Sequence, residues 1–140
     1  MKIILQRMES FARPLLAAQN IQFQMDCDPG VASANLDMEK RKNFYLIFKE
    51  AVNNSLKYSG CTKLVMTIRQ RGKDVEMKIA DDGHGFDLTK TSEGYKSSDV
   101  FGGGNGLKNM QLRAKQMNGR LKITSRPDEG TVIDLCFPIT

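Results

Sequence analysis

Glu50-Ala51-Val52-Asn53-Asn54 is the stretch of sequence that decides the fold, because it carries two polar side chains one helical turn apart. An Asp-Asp-Gly-His-Gly-Phe segment follows at residues 81–86, and a Gly-Asn-Gly-Leu segment at residues 104–107. Each segment alone is a weak signal. In this order they predict a nucleotide site, in which the first holds a metal ion, the second contacts a base and the third surrounds phosphates.

Length and composition predict one soluble globular domain. The chain has 140 residues, 40% of them hydrophobic and 26% charged, which is enough to bury a core without disulfides or a structural metal. Its apolar runs are too short for a membrane span or a signal-peptide core. The net charge of +5 fits either a lysine-rich solvated surface or an anionic ligand, and no basic block indicates nucleic-acid binding.

The cysteines and the histidine exclude two kinds of site. Cys27, Cys61 and Cys136 are widely spaced and form no Cys-x-x-Cys pair, so neither a disulfide framework nor a zinc site is indicated. Reduced thiols in the cytosol are expected instead. His84 is the only histidine and cannot build a multi-histidine metal site; we expect it to face solvent and assign it no role.

An apolar stripe with heptad-like spacing predicts a helix at the N-terminus. Its members are Ile4, Met8, Phe11, Leu15 and Ala18. Pro14 is expected to kink this helix or to start a new one. Two interpretations stay open: an amphipathic helix on the domain's own core, or the tail of a longer dimerising helix. We assign residues 1–20 to the end of a preceding helical, dimerisation region and residues 21–140 to the nucleotide-binding domain.

The rest of the chain switches between strand and helix patterns. Alternating apolar residues predict strands near residues 21–25, 64–68, 75–79, 121–123 and 133–137, with a hairpin turn over residues 69–74. A long helix is predicted from an N-cap at Asp37 to about Ser59, where Gly60 ends it. Residues 107–117 form the next helix, closed by Asn118-Gly119. Residues 87–103 are a long polar loop, typical of a lid or a disordered segment. These elements predict an α/β sandwich with helices on one face of a mixed sheet.

The polar face of the long helix has the chemistry of a magnesium and phosphate site. Glu50 and Asn54 share a face that continues to Lys57 and Tyr58. Carboxylate and amide oxygens suit Mg²⁺, which fills its remaining positions with water and phosphate oxygens, and Lys57 supplies a compact charge for a phosphate. On this segment alone, an ordinary solvated helix edge is an equal alternative.

The two glycine segments suit a base and an anion. Gly83 and Gly85 permit positive φ and the close approach of a flat ring, while Asp81 can accept a hydrogen bond from an exocyclic amine and so favours adenine over guanine. A tight turn with an aspartate cap is the competing interpretation. Glycines at residues 102–106 leave N–H groups at a helix start free to converge on an anion, although such loops also serve as plain hinges. This segment is neither a P-loop nor a dinucleotide-binding turn.

Together these segments resemble the ATP-binding domain of sensor histidine kinases, within the wider group that includes gyrase, Hsp90 and MutL. The matching segments are residues 48–58 for the N box, Asp81-x-Gly83-x-Gly85 for the G1 box, Gly104-x-Gly106-Leu107 for the G2 box, and residues 118–123 with Gly130-Thr131 for the closing hairpin. The resemblance covers roughly residues 37–138. It implies a Bergerat-type fold with about three helices on one face of a mostly antiparallel five-stranded sheet.

The resemblance also implies ATP and Mg²⁺ as ligands and a role for each site residue. Asn54 would hold magnesium, with Glu50 beside it as a second ligand and as the catalytic, water-orienting group. Asp81 would bind the adenine amine, with Thr131 nearby. Lys57 and Tyr58 would contact phosphate or ribose. Gly83 and Gly85 would contact the adenine. The phosphates would be bound by Gly104, Gly106 and Leu107. Residues 87–103 would be the ATP lid, in which Phe101 is the only candidate for the family's F box.

The function implied is that of a catalytic module which presents the γ-phosphate of Mg-ATP to a histidine on a separate dimerisation domain. His84 lies in the glycine turn and cannot be that acceptor, so the chain is expected to be a protein histidine kinase that does not autophosphorylate alone. A response regulator is the further partner. We expect a cytoplasmic monomer within a homodimeric parent, with no nucleic-acid or direct membrane contact. The alternatives are an anti-sigma-type serine kinase and a non-catalytic nucleotide-binding or docking module.

Overall fold

Five strands form one mixed sheet in the computed structural model of the chain, which describes residues 2–84, 106–126 and 128–139. The strands are β1 Gln22–Cys27, β2 Lys63–Arg71, β3 Asp74–Asp81, β4 Arg120–Ser125 and β5 Thr131–Pro138. Their order across the sheet is β1-β2-β3-β5-β4. β1 runs parallel to β2, and every other pair is antiparallel. The predicted mixed, mostly antiparallel sheet is confirmed.

Helices cover one face of this sheet, as the sequence predicted. They are α1 Lys2–Ala18, the one-turn helix α2 Pro29–Ala32, α3 Met38–Asn54 and α4 Gly106–Gln116. α3 lies between α1 and α4 and packs against both. At the start of α3, Oδ1 of Asp37 accepts a hydrogen bond from the backbone N–H of Lys40 at 2.8 Å, so the predicted N-cap is confirmed.

The core lies between the sheet and α3. Apolar residues at alternate positions of the three central strands face the helices, because successive side chains of a strand point to opposite faces. The buried strand residues are Leu64, Met66, Ile68, Val75, Met77, Ile79, Ile133, Leu135 and Phe137. Phe44, Ile47 and Phe48 of α3 meet them, and the rings of Phe44 and Phe137 lie 5.4 Å apart. Burial of each such side chain contributes about 1.5–3 kcal/mol before entropy is counted.

α1 joins the same core through a stripe that agrees with the predicted one at Ile4, Met8 and the partly buried Phe11, but not at Leu15 or Ala18. Its buried residues are Ile4, Leu5, Met8, Ala12 and Leu16, whereas Leu15 is 41% exposed and Ala18 is exposed as well. Four of these buried residues, Ile4, Met8, Ala12 and Leu16, are spaced four apart, so the contact does not keep the alternating spacing of four and three in the predicted stripe. Pro14 lies inside the helix, which extends to Ala18. The division of the chain at residue 20 stays a prediction.

The first hairpin is tighter than predicted. β2 and β3 pair as far as Arg71 and Asp74, which leaves a two-residue turn in place of a loop over residues 69–74. Gly72 adopts φ 60° in this turn, a conformation that costs glycine little. The charged residues that suggested a loop lie on the ends of the strands, where their side chains reach water.

Candidate nucleotide-binding site

The C-terminal end of α3 meets the end of β3, which brings the first two predicted segments together. The hydroxyl of Ser55 donates a hydrogen bond to Oδ2 of Asp81 at 3.2 Å, across 26 residues of sequence. Ser55 directly follows Asn54, the last residue of α3. The carboxylate predicted to bind a base therefore lies beside the end of the helix predicted to hold a metal.

A π-helical turn, Ser55–Ser59, carries the chain out of α3. Single π turns are rare and occur mostly at functional sites. The exposed Lys57 lies on this turn, as does the backbone of Tyr58, whose side chain is outside the described residues. Gly60 ends the turn with φ 61°, which confirms the predicted helix end. A Cβ on Gly60 would lie 2.5 Å from Nε2 of His84, so the exposed imidazole covers this glycine.

Asp81 is the most heavily hydrogen-bonded carboxylate of the site. Its Oδ1 accepts from the backbone N–H groups of Gly83, at 2.9 Å, and Thr131, at 3.3 Å. Burial raises the pKa of Asp81, while hydrogen bonds from Gly83, Ser55 and Thr131 oppose the rise and the charge of Asp82 adds to it. A carboxylate has about four acceptor positions, so three such donors leave capacity for one more.

The last hairpin forms the second wall of the site. Thr131 is buried, and its Oγ1 lies 2.9 Å from Oγ of Ser125, which also lies 3.3 Å from the carbonyl oxygen of Gly130. Gly130 has φ 79°, and a Cβ there would collide with the carbonyl oxygen of Asp81. Glycine at this position therefore allows β5 to approach the end of β3, which brings Thr131 to Asp81.

Asp82, the next residue, takes no part in this arrangement. Its carboxylate accepts hydrogen bonds from the backbone N–H and the hydroxyl of Thr62, at 2.8 and 2.7 Å, and from the backbone N–H of Lys63 at 3.0 Å. These hydrogen bonds lower the pKa of Asp82, and the one from the Thr62 hydroxyl contributes most. Asp82 thus fastens the start of β2 to the end of β3.

The side chain of Asn54 has the property expected of a residue that binds a polar ligand. Its side chain is buried, with 7% exposed, and its amide nitrogen has no hydrogen-bond partner within the described part of the chain. An unpaired buried amide is costly, and a 180° rotation exchanges its nitrogen and oxygen without changing its shape. Half-buried Glu50 lies one turn earlier on the same face.

This donor set fits magnesium better than a metal held by protein alone. Across residues 2–84, 106–126 and 128–139, no group of three His, Cys, Asp or Glu side chains is arranged to hold an ion. Mg²⁺ commonly uses one or two protein ligands and completes its shell with water and phosphate oxygens. One amide and one carboxylate on a helix face agree with that pattern.

The third predicted segment is described only where it joins α4. α4 begins at Gly106, Leu107 is half-buried, and the helix packs against α3, where Nη1 of Arg113 donates to Oδ1 of Asn43 at 3.3 Å. The other predictions for this region lie outside the described residues: Gly85, Gly104, Phe101 and the lid at residues 87–103.

Two residues of the site were missed by the sequence reasoning. Neither Ser55, which continues the apolar stripe of Phe44, Ile47, Phe48, Ala51 and Val52 along the long helix, nor Ser125 was given a role. A serine inside an apolar stripe is a usable signal, because a buried hydroxyl requires a hydrogen-bond partner. The sequence does not say which partner, since Asp81 is distant along the chain.

Residues 39–140 match the family described as histidine kinase-, DNA gyrase B- and HSP90-like ATPases. The chain belongs to this ATPase family. The resemblance inferred from the sequence is thereby confirmed, and with it the histidine kinase type of ATP-binding domain.

Individual relatives agree with the family match. The chain is 26% identical over 117 residues to the sensor histidine kinase ComP of Bacillus subtilis, an alignment that spans 84% of this chain and 14% of ComP. Two solved structures share the fold. The histidine kinase AdeS of Acinetobacter baumannii superposes with a TM-score of 0.72 at 15% identity, over 99% of this chain and 64% of AdeS. The histidine kinase domain of the Erythrobacter litoralis EL346 blue-light activated kinase gives 0.74 at 14% identity, over 97% and 61%.

Within residues 2–84, 106–126 and 128–139, no helix combines the length and the apolar character that crossing a bilayer requires.

Proposed function

We propose that the chain is the ATP-binding catalytic module of a two-component sensor histidine kinase, and that it presents the γ-phosphate of Mg-ATP to a histidine on a separate dimerisation domain. One observation carries this proposal: Ser55, which directly follows Asn54 at the end of α3, donates a hydrogen bond to Asp81, whose Oδ1 also accepts one from the backbone N–H of Thr131. The carboxylate proposed for the base thus lies at the end of the helix that carries the amide proposed for the metal.

The base and metal contacts follow from the donor sets. At its remaining acceptor position, Asp81 accepts a hydrogen bond from the exocyclic amine of adenine. The Thr131 hydroxyl contacts the same edge of the ring. Gly83, whose N–H already binds Asp81, forms the floor of the pocket with Gly85. Asn54 and Glu50 hold Mg²⁺, which when bound neutralises phosphate charge; Glu50 also orients a water.

The phosphates lie between the π-helical turn and the start of α4. Lys57 and Tyr58 contact phosphate or ribose from the turn. Gly104, Gly106 and Leu107 contribute backbone N–H groups at the helix start, where the helix dipole favours negative charge. Residues 87–103, which lie outside the described residues, are the proposed ATP lid. The catalytic step then depends on alignment and charge neutralisation, and the nucleophile is the imidazole of the acceptor domain.

The wider setting follows from this role. Residues 1–20 end a helical region that leads from the dimerisation domain, and residues 21–140 form the catalytic domain. The parent is a homodimer that passes its phosphoryl group to a response regulator. The module itself is a cytoplasmic monomer with no nucleic-acid or direct membrane contact.

Nucleotide binding gives the first test. Titration of the chain with ATP, with and without Mg²⁺, should show magnesium-dependent binding by calorimetry, and ATP should be preferred to GTP. Asn54→Ala should abolish the magnesium dependence. Its neighbour Asn53 is half-buried and serves as the matched control, because Asn53→Ala removes the same group one residue away. Equal losses in both variants, or equal affinity for ATP and GTP, would contradict the assignment.

Phosphoryl transfer gives the second test. The chain alone, incubated with labelled ATP, should acquire no phosphate. Addition of a dimerisation domain that bears a histidine should yield an acid-labile, base-stable phosphoprotein. An acid-stable phosphoserine on a partner would identify the anti-sigma-type serine kinase instead, and absence of ATP binding would favour a docking module.

A further inference from the structure

A basic groove lies at the end of the helical layer opposite the nucleotide site. It is formed between the first half of α1, the start of α3 and the connection before α3, and it encloses about 940 Å³. We define the basic groove by the four cations Lys2, Arg7, Arg41 and Lys42 and the two apolar residues Ile3 and Met38, all of which line it.

The lining of the basic groove carries positive charge only, and the acidic residue of α3 closest in sequence to its cations is Glu39, three residues before Lys42. Its lining contains no aspartate or glutamate, and none of the ion pairs within the described ranges involves its cations. The guanidinium of Arg7 stacks over the ring of Tyr45 at 5.2 Å, which fixes one cation at the groove. Asp37, the nearest acidic residue before α3, uses its carboxylate to cap that helix.

Apolar surface accompanies this charge. Ile3 is 74% exposed and Met38 76% exposed, and they are two of the four large apolar side chains that the described residues expose. Half-buried Tyr45 and Leu46 continue the apolar floor. Exposed apolar groups rimmed by charge mark interaction surfaces, since burial against a partner removes the apolar area from water while the rim selects the charge of the partner.

We propose that the basic groove binds an acidic amphipathic helix of a partner protein. A trough between two helices accepts a third along its length, with an apolar stripe inside and acidic residues facing the cations. A lipid bilayer presents a flat surface that does not enter a trough. A nucleic acid offers phosphates for the cations but nothing that gains from contact with the side chains of Ile3 and Met38.

The basic groove shares no residue with the proposed nucleotide site. Arg41 and Asn54 lie at opposite ends of α3, about 20 Å apart at a rise of about 1.5 Å per residue. A partner helix in the groove therefore leaves the nucleotide site open, and each site can be tested while the other serves as a control.

The probe is a fluorescein-labelled 14-residue peptide with leucine at positions 1, 4, 5, 8, 11 and 12 and glutamate elsewhere, titrated with the 140-residue chain and followed by anisotropy. A version with lysine in place of glutamate should not bind. Arg41→Glu with Lys42→Glu should weaken binding of the acidic peptide by about tenfold or more, because like charges then face each other. Met38→Asp should also weaken it.

The matched control is Arg120→Glu with Lys122→Glu, which makes the same change in net charge on exposed residues of β4 at the far edge of the sheet. It should change affinity by less than about twofold, since charges beyond about 10 Å are screened in salt. ATP affinity should be unchanged in every variant. If Arg41→Glu with Lys42→Glu fails to fold, as judged by circular dichroism, Lys2→Glu with Arg7→Glu replaces it.

Three outcomes would overturn the proposal. The acidic peptide shows no saturable binding, or the β4 variant loses as much affinity as the groove variant. The third outcome is that vesicles of phosphatidylcholine and phosphatidylserine bind the chain through Arg41 and Lys42 while the peptide does not. The groove would then be a membrane contact. Absence of ATP binding by the unmodified chain would contradict the proposed function alone.

Discussion

Asp81 and Asp82 are chain neighbours with opposite surroundings. Asp81 turns inward, where burial raises its pKa and Ser55, Gly83 and Thr131 hold its oxygens. Asp82 turns outward to Thr62 and Lys63, and their hydrogen bonds lower its pKa. The alternation of side chains at the end of a strand thus gives one carboxylate to the site and the other to the fold.

The opposite pKa shifts of Asp81 and Asp82 indicate different roles for the two carboxylates. A carboxylate whose pKa is raised on folding is held at some cost, and such groups concentrate at functional sites. A carboxylate whose pKa is lowered stabilises the folded state. Asp81 should therefore matter more for binding than for stability, and Asp82 the reverse.

The largest expected effect concerns the backbone that brings Asp81 to Thr131. Gly130→Ala should lower the free energy of unfolding by about 3 kcal/mol, because the added Cβ combines an unfavourable φ with a collision at the Asp81 carbonyl. Gly72→Ala is the control: its φ is 60° with nothing within 4 Å, so it should cost only about 1 kcal/mol. Urea denaturation at pH 7 measures both, and equal costs would show that close approach at Gly130 is unimportant.

Binding of ATP should separate the two carboxylates next. Asp81→Asn should weaken Mg-ATP binding by about tenfold to a hundredfold, the value of a hydrogen bond to a charged group, because an amide offers a donor where the adenine amine needs an acceptor. Asp82→Asn should change affinity by less than about twofold. Calorimetry measures both variants, and the comparison fails if Asp82→Asn is the more damaging.

For stability at pH 7 the order should be reversed, with Asp82→Asn more damaging than Asp81→Asn, and the difference between the two variants should be smaller. Asp82→Asn should lower the free energy of unfolding by about 1 kcal/mol, a modest value because the group is exposed and screened by solvent. Asp81→Asn should change it by less than about 0.5 kcal/mol or increase it, since the amide removes a partly desolvated charge. A clear loss of stability in Asp81→Asn would mean that its hydrogen bonds outweigh its burial.

The pH dependence should be the smallest effect, and its sign differs between the two residues. The folded-state pKa of Asp81 lies above the ordinary 3.8, so its contribution to stability is greatest below 3.8 and is lost as pH rises through the raised value. That of Asp82 lies below 3.8, so its contribution is present above 3.8 and is lost as pH falls through the lowered value. In urea denaturation from pH 3 to 7, the stability of Asp81→Asn relative to the unmodified chain should therefore rise with pH, and that of Asp82→Asn should fall.

Periodicity and turn chemistry made much of this molecule predictable. Local sequence patterns sufficed for the N-cap at Asp37, the helix end at Gly60 and the alternating strands, because these depend on neighbours within a few residues. The errors occurred where local composition misled. Because the ends of β2 and β3 carry charged residues, they were predicted as a turn, although they belong to the strands. The heptad-like spacing of α1 assigned Leu15 to the core, although the helix packs in steps of four.

The sequence by itself determined the family of the domain and which polar residues to consider, since the order of the three segments is written along the chain. Only the tertiary structure decided which of them meet. That Ser55 donates to Asp81, that Gly130 lets Thr131 reach it and that Asp82 turns away all depend on contacts between residues far apart in sequence. Such contacts arise from strand register and helix packing, and no local pattern encodes them.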